Sequence, residues 1–388
     1  MRGQVFKRKG SETWTIKVSL GFDAEAKRYR QHWESVPGTK KDAEKRLSEI
    51  LHELDNGIYM KPGKTTLGEY LERWLRDYVW PNLAPRTAEG YEHIIHQHVI
   101  LALGNTILTA LKPEILQRYY GEKLARGRRD NTGGLSAKTV RHHHITLHGA
   151  LESAVKWGLI SRNPASAVSP PRFQQKEMRT LTESDIQVLL DAVRNTPYFV
   201  IFHLALYTGM RRSEILALKW ADIDLLLCKL SVTRTLHHLR DGTYIFREPK
   251  SIKGRRNIAL APSTAIVLRE HRVKQEFEHK MLGTPLQDDA LLFSHIDGTP
   301  LLPDTITRFW IKTVRRLGLK GIRLHDARHT HASLLLKQNV HPLVVSQRLG
   351  HANISTTLSV YSHLLPGLQE AAALKFDEIF NQPTVKTN

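Results

Sequence analysis

With 388 residues, 41% of them hydrophobic, the chain can fill two or three packed cores and is no disordered basic tail. Its 57 Lys and Arg against 38 Asp and Glu leave a formal charge of +19, spread along the whole length, which favours a nucleic-acid partner over a membrane surface. The single cysteine, Cys228, excludes an internal disulfide and a cysteine-cluster metal site, and neither a signal peptide nor a membrane span is visible, so a cytoplasmic protein is expected.

Residues 1–60 predict a small sheet followed by a helix. Trp14–Val18 and Tyr29–Trp33 alternate as strands, with Gly21-Phe22-Asp23 between them as a turn. Ala43, Leu47, Ile50, Leu51 and Leu54 then recur at helical spacing up to a stop at Gly57. Lys7, Arg8, Lys9, Lys17, Lys27, Arg28 and Arg30 crowd the strands. A basic three-stranded sheet could enter a DNA groove, although a solvated charged face fits the same residues. The glycine-rich run 57–65 has five residues between its first two glycines and follows a helix. It therefore reads as a linker and not as a nucleotide-phosphate loop.

Residues 65–170 predict an all-helical unit. Thr66 and Glu69 form a capping box ahead of the apolar face Tyr70, Leu71, Trp74, Leu75 and Tyr78. Pro85 can open a second helix, 113–125 a third, and Ser136 a last one running to Trp157, after a basic loop at 126–134. His142, His143 and His144, with His148, point in different directions on a helix and lack an acidic neighbour. A DNA-facing or partly buried helix suits them better than a metal. Prolines at 164, 170 and 171 mark 165–178 as an interdomain linker.

The remainder predicts a mainly helical unit with a small sheet. Thr182 and Asp185 cap one helix, and Phe199–Tyr207 forms a buried one ending at Thr208-Gly209. A further helix is expected over 210–218. Cations are unfavourable at a helix N-terminus, so Arg211 should serve a ligand or a carboxylate, for which Glu214 is the local candidate. Strands are expected at 230–235, 244–246 and 256–260, with a lysine-bearing turn at 249–254, and helices at 262–282 and 303–317.

The segment His325–Tyr361 carries the chemistry. His325 and Arg328 are three residues apart, the next helix stops at Leu349-Gly350, His351 follows directly, and Tyr361 lies ten residues on. Two imidazoles, a permanent cation and a phenol can meet on one anion. With Arg211 as a second guanidinium fork, a phosphodiester is the natural substrate and Tyr361 the nucleophile.

TGMRRSEILALKW (208–220), EPKSIKGRRNIAL (248–260), HDARHTHASLLL (325–336) and RLGHANISTTLSVYSHLLP (348–366) together resemble the catalytic domain of the tyrosine recombinases, the phage-integrase family. The resemblance implies an α+β multidomain protein of three parts. These are an arm-type DNA-binding sheet-plus-helix domain at 1–60, an all-helical core-binding domain at 65–170, and a mainly helical catalytic domain with a small β-sheet at 175–388. It implies an integrase that cuts and rejoins DNA through a 3′-phosphotyrosyl link, integrating or excising a mobile element, with no ATP, metal or other cofactor. Tyr361 becomes the nucleophile, Arg211 and Arg328 the phosphate clamps, and Lys250 the acid for the leaving oxygen, with Lys253 as the other candidate. His325 and His351 complete the pocket. The implied partners are double-stranded DNA at core and arm sites, a homotetramer on that DNA, a host bending protein and an excision factor, within a bacterial cell. Three other readings fit parts of the sequence: a DNA-binding regulator, a type IB topoisomerase, and a metal-dependent nuclease using His325, His329, His331 and His351.

Overall fold

Alternation of apolar and polar residues builds a three-stranded antiparallel sheet at the N-terminus. In the computed structural model β1 (Gly3–Lys7), β2 (Trp14–Asp23) and β3 (Arg28–Val36) pair in that order, followed by α1 (Lys40–Asp55). The structure describes residues 3–23, 27–55, 63–130, 132–173, 179–249 and 251–351, with a few positions between 353 and 377. The stop expected at Gly57 lies outside them. Ile16 and Val18 face α1 and are buried with Ala43 and Ile50. Lys17 takes the opposite face, its ammonium 5.0 Å from the centre of the Trp33 ring. The turn expected at Gly21-Phe22-Asp23 is strand instead, because β2 runs on to Asp23 through a register shift between Ser19 and Gly21. Glycine tolerates the backbone of a bulge, so here it marks an irregularity and not a reversal.

Two compact units divide the chain, Met1–Gln175 and Lys176–Asn388. The first holds two separate apolar clusters, that of the sheet and a helical one. In the helical part α2 (Leu67–Trp74) continues through a π-helical turn, Leu75–Val79, into α3 (Trp80–Asn82). Likewise α4 (Pro85–Ile94) continues through Ile95–Val99 into α5 (Ile100–Leu103), before α6 (Pro113–Arg126) and α7 (Ala137–Lys156). The caps are those expected: Thr66 and Glu69 bond reciprocally at 3.2 and 2.8 Å, and the Ser136 hydroxyl accepts from the Thr139 amide. Tyr70, Trp74, Tyr119, Tyr120, Leu147 and Leu151 fill the core.

The histidine run divides by helical geometry. His143 turns fully inward, its Nδ1 3.0 Å from the Tyr119 hydroxyl and its ring 4.8 Å from that of His98, while His144 meets the Tyr120 hydroxyl at 3.1 Å. Burial, and then the neighbouring His98 and Lys123, push the His143 imidazole down to about 3. An imidazole neutral in the fold but titrating near 6.5 when unfolded leaves stability intact above that pH. It removes stability as pH falls from about 6.5 towards 3.

The second unit contains α8 (Glu183–Val193), α9 (Phe199–Thr208), α10 (Arg212–Ile215), β4 (Ile223–Asp224), β5 (Lys229–Val232), β6 (Thr235–His238), β7 (Tyr244–Arg247), β8 (Arg256–Ala259), α11 (Pro262–Met281), α12 (Pro303–Arg316), α13 (Asp326–Lys337) and α14 (Pro342–Leu349). Strands β4, β5 and β8 form one sheet in that order, and β6 and β7 form a two-stranded ribbon. Phe202, Trp220 and Trp310 anchor the core, with the indole of Trp220 donating to Gln275 and that of Trp310 to the Ile322 carbonyl. The helix expected over 210–218 is a single turn, since the chain swings out after Ile215 to the Lys219 amide bonded by Asp222. The strand expected at 230–235 breaks between Val232 and Thr235, where Arg234 reaches the same Asp222 carboxylate at 2.6 Å. Among the described residues no helix is long and apolar enough to cross a membrane.

The histidine buried beside Tyr119 yields a stability prediction. From pH 6.5 to 5, His143 should remove on the order of 2 kcal/mol, at about 1.36 kcal/mol per pH unit. His143→Gln, read by urea unfolding at the two pH values, should lose correspondingly less. An identical pH slope in variant and wild type would place the acid sensitivity elsewhere.

Candidate active site

The site begins where α9 ends. Gly209 closes that helix in the left-handed region, at φ +65°, and a Cβ there would lie 2.6 Å from Leu349 Cδ2 and 2.8 Å from His331 Cδ2. Only glycine meets both demands, the positive φ and the close approach of α13 and α14. Two residues later Arg211 precedes α10, with 39% of its side chain exposed. Its backbone amide and Nη1 both donate to Glu214, at 2.9 and 2.7 Å. Glu214 is buried and also receives Nη2 and Nη1 of Arg256, at 2.9 and 3.2 Å. Burial alone would raise its pKa, but the bonds and charge of Arg256, then of Arg211, outweigh burial and keep it ionised.

Arg328 comes from the first turn of α13 and is almost fully buried. Its Nη1 donates to the Gly209 carbonyl at 2.8 Å and its Nη2 to the Leu349 carbonyl at 2.6 Å. These carbonyls close α9 and α14, where main-chain oxygens lack intrahelical partners and carry partial negative charge. Gly350, at φ +68°, ends α14, and the His351 amide returns to the Ser346 carbonyl. His325 caps the start of α13, with its ring edge-on to His329 at 5.0 Å.

Both flanking imidazoles are held neutral. Burial is the main cause of lowering His325 and His351 to about 4 each, and the charges of Arg328 and Arg211 lower both further. Because the same two guanidiniums act on both rings, Arg211, Arg328, His325 and His351 share one neighbourhood. Lys250 and Tyr361 lie outside the described residues. Lys253 is described, exposed on the single turn Ile252–Gly254. Arg212 is drawn away from the site, donating to the Pro303 carbonyl and to the Thr307 hydroxyl on α12. Among the described residues no three His, Cys, Asp or Glu side chains are grouped to hold a metal ion.

Two residues of this region, Arg256 and Arg348, are not singled out by sequence reasoning, and a third, His331, enters it only as a candidate metal ligand. Arg256 sits on β8 facing the same way as buried Ile258, and a charge on the inward face of a short strand is the signal that marks it. Arg348 donates from Nε to His331 Nε2 at 3.0 Å, and from its two Nη atoms to the Ala259 and Tyr207 carbonyls. His331 in turn donates from Nδ1 to the Leu206 carbonyl at 2.9 Å, and burial takes it to about 4. Nothing in the periodicity of α13 separates this histidine from a surface one.

Residues 179–367 match the phage integrase family, and residues 66–124 match the phage integrase N-terminal SAM-like domain. The ICEBs1 integrase of Bacillus subtilis (strain 168) is 30% identical over 248 residues, spanning 63% of this chain and 67% of that protein. The chain belongs to the phage integrase family. A tyrosine recombinase XerC-like protein of Caldanaerobacter subterraneus subsp. tengcongensis is 27% identical over 97% of this chain and 98% of its own length. The fold is shared with the Tn1549 transposon integrase, solved with circular intermediate DNA, at a TM-score of 0.66 and 20% identity over 81% of this chain and 99% of the other. It is shared too with a lambda integrase dimer on a core site, at a TM-score of 0.56 and 18% identity over 92% and 93%. As a phage integrase the protein is a tyrosine-type site-specific recombinase, an enzyme that breaks and rejoins DNA strands through a 3′-phosphotyrosyl intermediate.

Gly209→Ala tests the junction of the three helices. The left-handed backbone and the two close contacts together should cost roughly 2 kcal/mol or more, with strand cleavage lost in parallel. An unchanged urea midpoint would mean that α13 and α14 can draw back from Gly209 freely.

Proposed function

We propose that Tyr361 is the nucleophile of this recombinase and that Arg211, Arg328, His325, His351 and Lys250 assemble the phosphate around it. The reading rests above all on the convergence of two guanidiniums and two neutral imidazoles on one space, with one of those imidazoles, His351, ten residues before Tyr361. The phenol oxygen attacks the scissile phosphorus, forming a tyrosyl O–P bond as the bond to the 5′ oxygen breaks. Arg211 and Arg328 neutralise the non-bridging oxygens, where charge accumulates. A neutral imidazole can accept the phenol proton, a role that suits His351, while His325 bonds the phosphate. Lys250 supplies the proton that the 5′ oxygen needs on leaving. Attack by a second 5′ hydroxyl reverses every step. The phosphotyrosyl bond keeps the energy of the phosphodiester, so no nucleotide is consumed.

The division of labour follows from the family resemblance. Residues 1–60, with Arg8 and Lys17 stacked on Trp33, bind arm-type DNA; residues 65–170 grip the core site; residues 175–388 carry out the chemistry. Strand exchange between two duplexes requires four active sites, so the working form is a homotetramer on DNA, aided by a host bending protein and an excision factor.

A covalent trap decides the matter. Wild type and Tyr361→Phe, expressed with the native element and denatured in SDS, should differ completely: the wild type retains DNA, with or without EDTA, and the variant retains none. Equal recovery from both would remove Tyr361 from the reaction. Binding to the mapped duplex should weaken by roughly 10³-fold or more from 50 to 200 mM salt, as contact with many phosphates requires. A flat salt profile by fluorescence anisotropy would exclude so extensive a backbone contact.

A further inference from the structure

We propose that Arg256 is a positioning residue for strand cleavage, joining the carboxylate that holds Arg211 to the turn that presents His351. The proposal rests on the phosphate-clamp reading above. Arg256 engages its whole fork: Nη2 and Nη1 meet the two oxygens of Glu214, Nε donates to the Arg348 carbonyl at 2.7 Å, and Nη1 also donates to the Gly254 carbonyl at 3.1 Å. Its side chain is 6% exposed and that of Glu214 1%, so neither charge has water as an alternative partner.

Three site-bearing segments are thereby tied together. Glu214 accepts from Arg211 on its outer side and from Arg256 on its inner side, so the angle of the exposed fork depends on the buried one. The Arg348 carbonyl precedes the Leu349 carbonyl, which Arg328 holds, and His351 follows two residues later. Adjacent carbonyls at the end of α14 are therefore held by two different guanidiniums. Gly254 closes the turn carrying Lys253. Close packing at Gly350 adds to this, since a Cβ there would lie 3.0 Å from Arg256 Cδ and Nη1 and 2.9 Å from the Lys253 carbonyl. The planar fork supplies several fixed directions at once, which a lysine ammonium cannot reproduce.

A neutral phosphate separates positioning from mere folding. A methylphosphonate at the scissile position lacks the charge that Arg211 and Arg328 must neutralise, so a misplaced clamp should matter little on that substrate. With the cleavage site mapped, single-turnover cleavage by saturating enzyme would be compared on the phosphodiester and methylphosphonate duplexes. Arg256→Gln should cleave the phosphodiester about 10²-fold more slowly, bind the duplex as wild type does, and recover most of that deficit on the methylphosphonate. Arg256→Lys should fall in between. Wild-type rates, or equal losses on both substrates, would overturn the proposal. If Arg256→Gln does not fold, Arg256→Lys carries the same comparison and equal losses there count against it. Failure of wild type itself to form an adduct on the phosphodiester would instead strike the clamp reading.

Discussion

One buried guanidinium holds the catalytic unit's site together. Arg328 is 3% exposed, and its two terminal nitrogens bond the last carbonyls of two different helices. Removing such a cation from water costs several kcal/mol unless its donors are met, and helix C-termini meet them with oxygens that are unpaired and partly negative. The arrangement works only because both helices stop abruptly. Gly209 and Gly350 each adopt the left-handed conformation, which ends the helix and brings its final carbonyls within reach. Sequence, local conformation and electrostatics thus converge on one side chain.

The same economy of charge shapes the rest of the pocket. Arg211 and Arg256 share the single carboxylate of Glu214, so that pair of cations is only half neutralised. Burial first, and then neighbouring cations that include Arg328 and Arg211, depress the pKa values of His325 and His351 and keep them uncharged near neutral pH. On the proposed reading, an arriving phosphate adds the missing negative charge and draws the cations' field away from the imidazoles, easing proton transfer as the reaction begins. The site is therefore biased toward an anion before any anion is bound, which is the sense in which it is preorganised.

Much of this was legible in the chain, and for identifiable reasons. Capping boxes at Thr66 and Thr182, the proline openings at 85 and 113, and the glycine stops at 209 and 350 are local signals, and local signals suffice for helix ends. Arg211 stood out because a cation at a helix start needs a reason, and Arg328 because it follows His325 at helical spacing. The misses share a different cause. The extension of β2 through Gly21, the brevity of α10 and the break after Val232 are set by partners outside each element. Asp222 holds both the Lys219 amide and Arg234, and neither helix nor strand periodicity contains that fact. Arg256 was likewise passed over because its burial depends on what the fold brings opposite it. The histidine run reads from sequence as DNA-facing or partly buried, and which of its members enters the core, His143, is set by what packs against the helix.

Rejoining imposes a constraint that cutting alone does not. A recombinase must hold its phosphate equally well whether the departing group is a tyrosine or a 5′ hydroxyl, because the intermediate has to go forward and back. Contacts that depended on one leaving group would bias that balance. On the proposed clamp reading, Arg328 avoids the bias by taking its orientation from main-chain carbonyls, and Arg211 takes its own from Glu214, which Arg256 fixes from the side away from solvent. Neither fork needs DNA to define its direction. Their geometry is thus established by folding of the catalytic unit, which under the proposed function lets it stay in place while covalent bonds to the phosphate are exchanged.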